Sequence, residues 1–504
     1  MLTLTKDKWF GVAAFSVLFI TVILWGYTGN YMVLAAPVAF LFFTLAGVNW
    51  KTAYWIFLAT IPPSIQINFA GDSMSITLPD QPLMWVLLIV FIIIWARNPL
   101  ILPRWWWKDK IVFIAVLQFF WLIVSVAFSK VLFFSLKFLL AKSWLMVCYF
   151  ILPLFIFTEK KDFIRGFKLM MIPMLLTVII ILVHHAALGF RFNKVQMSLE
   201  FLGQSLYYNH VDYSSVTSML FPLLLIAFHL TKGRNPLIRG GIIGIILIFI
   251  AGIIFAQTRA AYLAVFFGIV VGIFIRFRLV NIIMPAFYGL LLLMLVYMIP
   301  NNRFMEFRPD YNSTYMHKDF AAHMIATIRG KDMSSMERVY RWIAAIRMSK
   351  ANPFTGVGPR GFYYYYKPYA VTSFRTYVSR NPEQSTTHNY YLYMLVEQGW
   401  PAMLLYALLI PAIFAKAQRV YHRFKDRFYR AVTVGLAMTI AAGFINNFFS
   451  ELIETHKVGA LFYLPVALLI ILDKKSRDME HKETADNAPM PVIKGLNNGD
   501  TSGV

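Results

Sequence analysis

Long apolar runs joined by short polar stretches set the character of this chain. From Gly240 to Ala256, and again from Ala260 to Ile275, no charged residue occurs. An α-helix of about 20 such residues crosses the roughly 30 Å hydrocarbon core of a bilayer. On this pattern fourteen spans are expected, over roughly 9–26, 31–48, 52–66, 82–96, 111–128, 133–157, 168–186, 213–230, 240–256, 260–276, 280–299, 390–415, 431–449 and 458–472. The third and sixth are the ones whose pattern also suits a partly re-entrant segment. No alternating ten-residue segments suggest a β-barrel. The run from Trp9 to Trp25 has no small-residue cleavage site before Tyr27, so it reads as a retained helix.

The pattern therefore predicts an all-α polytopic membrane protein with about 12–14 transmembrane helices and one large helical loop region. Residues 1–300 form the N-terminal transmembrane helices and 301–388 the large periplasmic loop. Residues 389–472 form the C-terminal transmembrane helices, and 473–504 a polar, disordered cytoplasmic tail. Every second joint is basic: 97–110, 158–168, 232–239, 276–278 and 416–430. Excess Lys and Arg marks the cytoplasmic side. The loop 67–81 has two aspartates and no Lys or Arg, so it faces outward, and both termini are then cytoplasmic. The long segment 301–387 also lies outside, with thirteen Lys or Arg against six Asp or Glu. Long loops escape the charge rule, so its basic character does not move it.

Composition agrees. The chain is 59 % apolar and only 14 % charged, whereas soluble domains carry about a quarter charged residues. A net charge of +23 in a soluble chain would point to nucleic acid. Here cytoplasmic loops facing anionic headgroups account for it, and no basic patch belongs to a nucleic-acid-binding fold. The partners are membrane lipids rather than nucleic acid. Cys148, the single cysteine, lies in an apolar run, which excludes disulfides and thiolate metal sites and suits a small core residue. No repeat of 20 to 50 residues occurs.

Candidate chemistry gathers on the outer side. FAQTRAAYLAVF (255–266) holds Arg259 in a three-residue polar patch between two spans. Such an arginine either snorkels to headgroups or serves a fixed anion. MERVYRWIAAIRMSK (336–350) has helical spacing, with Arg338, Arg341, Trp342 and Ala345 on adjoining faces. Asn352-Pro353 stops it. GVGPRGFYYYYKP (356–368) follows, with Arg360 among glycines that permit close backbone approach and tyrosines that suit sugar faces or the headgroup belt. In STTHNYYLYMLVEQGW (385–400), Thr386 or Thr387 is placed to cap a helix beginning near His388. His388 then sits at the mouth of a span, as interfacial filler, metal ligand or general base. The other outer histidines, His210, His317, His323 and His456, show no ligand spacing with a carboxylate, so no metal is expected. Arg259, Arg338, Arg341 and Arg360 all lie near the outer membrane plane. They either splay onto headgroups or converge on a polyanion such as a diphosphate, with a histidine to take a proton from an attacking hydroxyl.

Three stretches in order carry a resemblance: TRAAYLAV (258–265), ERVYRWIAAIRMSKANPFTGVGPRGF (337–362) and THNYYLYMLVEQGWPAML (387–404). They resemble the O-antigen ligase and polymerase superfamily of integral-membrane glycosyltransferases. LYYNHVDYSSVTSMLFPLLL (206–225), with Asn209, looks like that family's outer Asn-containing segment. The resemblance implies an inverting, metal-independent glycosyltransferase without cofactor in a bacterial inner membrane, its active site facing the periplasm. The donor it implies is a glycan on undecaprenyl diphosphate. The acceptor is lipid A-core for a ligase or a lipid-linked saccharide for a polymerase, with protein O-glycosylation a third choice. Carried over, Arg259 and Arg338 hold the diphosphate and His388 is the base. Arg341, Arg360, Asn389 and Asn209 are substrate-binding candidates. A lipid-linked oligosaccharide flippase or other transporter is the reading from another class. Transporters usually repeat their halves around a midplane site, whereas the halves here look unalike.

Overall fold

The computed structural model describes residues 16–24, 35–69, 74–187, 200–201, 204–207, 209–298, 300, 303, 333–370 and 386–486. Among them, eleven helices are long and apolar enough to cross a membrane. The chain is an all-α polytopic membrane protein.

Residues 16–24 are helical, within the first expected span. Helix α1 (Ala35–Thr60) breaks at Asn49, whose backbone leaves helical geometry, so spans 31–48 and 52–66 fall on its two arms. The second arm stops at Thr60 because Pro62 and Pro63 offer no N–H donor. From 50 to 60 it rises only about 16 Å, half the hydrocarbon thickness. The third expected span is thus a half-length helix. It leads into an antiparallel hairpin, β1 (Ile65–Phe69) and β2 (Met74–Leu78), with Ile65 opposite Leu78.

The next helices follow the apolar runs: α2 (Asp80–Arg97), α3 (Lys110–Ala127), α4 (Leu132–Ile156), α5 (Lys160–Ala187), α6 (His210–Leu230), α7 (Pro236–Phe255), α8 (Arg259–Arg276) and α9 (Val280–Met298). Helix α4 realises the sixth expected span as one segment, loosened by a π-helical turn at Val147–Ile151 ahead of Pro153. Within the long segment 301–387, α10 (Met333–Ser349) forms where the arginine spacing implies a helix. The remainder, 301–302, 304–332 and 371–385, lies outside the described residues. Helices α11 (Tyr390–Arg423), α12 (Arg427–Phe448) and α13 (His456–Asp486) complete the bundle. Helix α13 continues past 473, where the sequence pattern implies a disordered tail. Its polar extension is held by Lys425–Glu483, Arg423–Glu480 and the one-turn pair Lys474–Asp478. Residues 487–504 lie outside the described ones.

Helices α12 and α13 form the centre, with 78 % and 89 % of their apolar windows buried, whereas α9, at 6 %, faces outward along most of its length. Helix α9 is pinned through Tyr288, whose hydroxyl lies 3.0 Å from that of Tyr391 and donates to Ala407 O at 2.9 Å. Successive spans run antiparallel, so the joints alternate between two ends. The basic joints gather at one end, where α3, α11 and α13 are clamped. Lys416 Nζ donates to Asp109 and Asp473, and Arg423 and Arg477 close on Asp473 as well. Losing one partner of a buried charge cluster leaves the others uncompensated. Asp473→Ala is expected to cost about 3–5 kcal/mol, read as a lowered Tm of the detergent-solubilised protein. An unchanged Tm would mean that water reaches the clamp.

Candidate active site

The opposite end collects the hairpin, the joints 128–131, 256–258 and 449–455, and helix α10. Its framework is a break in α11. Gly399 has φ +82° and ψ −178°, which interrupts the helical hydrogen bonds over one turn. Four groups beside the break bond outside the helix. Val357 N donates to Val396 O (3.0 Å), Gly358 N to Glu397 O (2.9 Å), Trp121 Nε1 to Gln398 O (2.8 Å), and Trp400 N to Pro353 O (2.9 Å). At membrane depth, irregular backbone persists only when satisfied and enclosed in this way. The glycine-rich loop 352–361 is therefore docked into α11. A side chain at Gly399 would stand 1.9 Å from Phe354 O, and at Gly356, 2.4 Å from the Glu397 backbone. Gly399→Ala is expected to undock the loop, combining a positive φ with a backbone clash. Limited proteolysis at 353–362 would detect it, and an unchanged cleavage pattern would refute the docking argument.

Glu397 finishes the framework. Its side chain, inside α11, accepts from Arg360 N (2.6 Å) and Phe362 N (3.2 Å). Arg360, at φ +65°, is thereby turned so that its guanidinium lies 6.0 Å from the Phe138 ring centroid. From the other side, Ser125 Oγ donates to Thr355 O (2.9 Å) and Ser135 Oγ to Pro359 O (2.8 Å). This ties the α3–α4 joint to the loop.

The mouth of α11 carries the histidine. Asn389, and neither threonine, caps the helix. Its Oδ1 accepts from Leu392 N (3.1 Å), and its Nδ2 donates to Phe448 O (3.0 Å). Thr387 Oγ1 donates instead to Asn389 O (2.9 Å). The helix thus begins at Tyr390, and His388 stands just before the cap with φ +52°. Left-handed backbone is uncommon for a non-glycine residue and concentrates at functional positions. Helix α10 brings the arginines. Ala345 and Met348 join a small core with Val357, Phe362, Tyr366 and Val396, which sets α10 against α11. Arg341 Nη1 then donates to Thr386 O (3.3 Å), and the Arg338 guanidinium lies 6.0 Å from the Phe449 ring centroid. His388 feels both arginines and Glu451. Burial is the largest cause of its shift. Glu451 pulls upward, Arg341 and Arg338 push down, and the pKa falls to about 4.

The structure groups His388 with Arg338, Arg341 and Glu451, with Asn389 next in the chain, whereas Arg360 lies by Phe138 and Glu397 and meets the group only through the field of Glu451. Arg259 opens α8 at the same end. Gly268 of α8 lies against Met438 of the antiparallel α12, where an added Cβ would be 3.1 Å from Met438 O. Nine residues toward the site, Arg259 is level with Asn447 and Phe448, and the Phe448 carbonyl receives the Asn389 amide. Asn209 caps α6, accepting from Val211 N and Asp212 N at 2.9 Å each. That is a structural use of its side chain.

Of the segment SELIETHK (450–457), sequence reasoning weighed only His456, although two glutamates and a lysine also fall there between two spans. That density of ionisable residues in a short joint between two spans was the available signal. Glu451 Oε2 is buried and without a hydrogen-bond partner among the described residues. Lys457 Nζ donates to Pro62 O (3.0 Å), Ser64 O (2.8 Å) and Leu206 O (2.7 Å), fastening the base of the hairpin and the approach to α6 onto α13. Below the mouth an apolar cavity opens between α3, α4, α11 and α13. Phe119, Leu122 and Phe138 line it, with Lys142, Tyr390 and Glu454 at its polar part. Among the described residues, no group of three or more His, Cys, Asp or Glu is arranged around a metal position.

Residues 243–407 match the family model described as O-antigen ligase. The match runs from α7 into the middle of α11 and takes in Arg259, Arg338, Arg341, Arg360, His388 and Asn389, but neither Asn209 nor Glu451. No curated protein matches the chain.

Proposed function

The chain carries an O-antigen ligase domain and belongs to that superfamily of polysaccharide-assembly enzymes, and from this premise we propose a specific transfer reaction. A glycan moves from undecaprenyl diphosphate to a hydroxyl acceptor at the periplasmic face of a bacterial inner membrane. One observation carries the reading: His388 stands at the mouth of a span with Arg338, Arg341 and Glu451 around it, where burial and the two arginines push its pKa down to about 4. At neutral pH the imidazole has a free lone pair. It accepts the proton of the acceptor hydroxyl as that oxygen attacks the anomeric carbon. The bond from that carbon to the diphosphate breaks, its electron pair leaves with undecaprenyl diphosphate, and the anomeric configuration inverts. Arg338, with Arg259 and Arg360, stabilises the charge on the leaving diphosphate without a metal, as guanidinium forks suit phosphate oxygens. Glu451 offsets the positive field at His388 and steadies the imidazolium it becomes.

Ligase and polymerase differ only in acceptor, lipid A-core or a second lipid-linked saccharide. Deleting the gene separates them: loss of all polymer from lipid A-core marks a ligase, and a single capped unit marks a polymerase. The reaction itself is tested with the full-length protein in proteoliposomes, a labelled undecaprenyl-diphosphate-linked glycan and EDTA. Transfer with release of undecaprenyl diphosphate is expected. Labelled lipid that changes leaflet without being cleaved would instead establish a flippase.

A further inference from the structure

Lys142 is the inner of two lysines on α4, buried where Lys137 is exposed, and neither the motifs nor the proposed reaction use it. It lies ten residues from the start of the helix, about 15 Å along its axis. Its ammonium donates to Glu454 Oε1 (2.9 Å) and Oε2 (3.0 Å) and to Tyr463 Oη (2.7 Å), so its three protons are all engaged. Glu454 also accepts from the Tyr390 hydroxyl. The pair is buried, with side chains 12 % and 6 % exposed. Burying two charges at this depth gains little stability, because desolvation offsets their attraction, and apolar replacements of such pairs are often neutral. Stability alone therefore does not account for it.

What the network joins is specific. Tyr390 is the first residue of α11, two positions after His388. Glu454 is three positions after Glu451, on the same short 3-10 turn. Tyr463 is on α13. Glu454 thus joins its own segment, which carries Glu451, to the segment of His388 through Tyr390, and Lys142 anchors Glu454 to α4 and α13. The neighbouring ring contacts follow the same line, with Tyr390 stacked on Tyr393 at 5.8 Å and edge-on to Tyr406 at 4.6 Å.

We propose that Lys142 is a positioning residue for the His388–Glu451 pair, acting through Glu454 and Tyr390 without touching substrate. The role of His388 as base rests on the proposed transfer reaction; the positioning of His388 does not. Lys142→Met is expected to lower kcat by about 10²-fold, the scale of a 1 Å misplacement of a reacting group, with KM for the lipid-linked donor little changed. Lys142→Arg restores most of kcat. The double variant Lys142→Met with Glu454→Gln regains thermal stability, since no charge is left buried alone, yet stays slow. Recovery of kcat along with stability would show a merely structural pair, and a rise in KM with kcat intact would make Lys142 a substrate ligand. Either result overturns the proposal.

A second readout needs no turnover. Carbethoxylation of His388 in the full-length protein, followed by mass spectrometry, is expected to speed up several-fold in Lys142→Met as the mouth loosens. Lys416→Met, which breaks the clamp at the opposite end, lowers Tm without altering His388 reactivity. Equal reactivity in wild type and Lys142→Met, or equal acceleration in both variants, would refute positioning. If the wild type shows no transfer, the proposed function falls while the modification rates still decide the role of Lys142.

Discussion

His388→Ala is expected to lower transfer by about 10²–10⁴-fold, the usual contribution of a positioned general base, while the protein still inserts and elutes as a single species. The side chain is part-buried and belongs to neither of the hydrophobic clusters that hold α10 and α11. His388→Gln keeps size and hydrogen bonding and should fail as badly, because an amide nitrogen does not take up a proton. Near-normal transfer by either variant would remove His388 from the mechanism. The pH profile gives a second test. With a pKa of about 4 in the free protein, kcat/KM should hold steady from neutral pH to about 5 and fall only as pH approaches 4. An ordinary histidine would already lose activity near 6.5. Bound diphosphate neutralises the arginines that help depress the imidazole, so the pKa rises in the complex. The acid limb of kcat therefore lies at higher pH than that of kcat/KM. Stability follows the same sign. The unfolded chain takes up this proton near 6.5 and the folded chain only near 4, so folding stability falls as pH drops across that window and levels off below it.

The legible parts of this protein are those that depend on local sequence. Apolar run length places the spans, and the arginine spacing of 336–350 places α10, because both follow from periodicity along one segment. The third expected span, whose pattern also suits a partly re-entrant segment, is a half-length helix followed by a hairpin, and Pro62 and Pro63 mark where it stops. Arg338, Arg341 and His388 were found through motifs, and their grouping needed the Ala345–Val396 packing that joins elements some fifty residues apart. Glu451, Glu454 and Lys142 escaped for a related reason. A lysine inside an apolar run looks like a flaw in the span until the partner 312 positions away is known. The break at Gly399 was equally hidden, since a glycine inside a helical pattern does not announce which distant amides take over its carbonyls. Residues 473–486 show the converse: a polar composition read as disorder is helical because Arg423 and Lys425 supply ion-pair partners from another helix.

Arg338→Ala is expected to reduce kcat by about 10²–10³-fold, the cost of removing one charged donor from a developing anion. The argument turns on separating its charge from its shape, because Arg338 has two effects in this structure. Its charge helps hold the His388 pKa down, and its planar fork is suited to two phosphate oxygens at once. Alanine removes both. In Arg338→Ala the acid limb of kcat/KM should therefore move upward from about 4, toward the value of an ordinary histidine. Lysine keeps the charge and loses the fork, so Arg338→Lys should be nearly as slow while its acid limb stays near 4. Arg341 provides the internal comparison. Its side chain is buried and bonded to the Thr386 carbonyl two residues before His388, so Arg341→Lys disturbs the approach to the base rather than a phosphate fork. If Arg338→Lys retained full activity, bidentate recognition would be wrong and Arg338 would act only as a point charge. If Arg338→Ala left the acid limb unmoved, Arg338 would not be close enough to His388 to belong to one site. The pair of variants thus tests, by independent readouts, whether histidine and arginine meet at a single diphosphate.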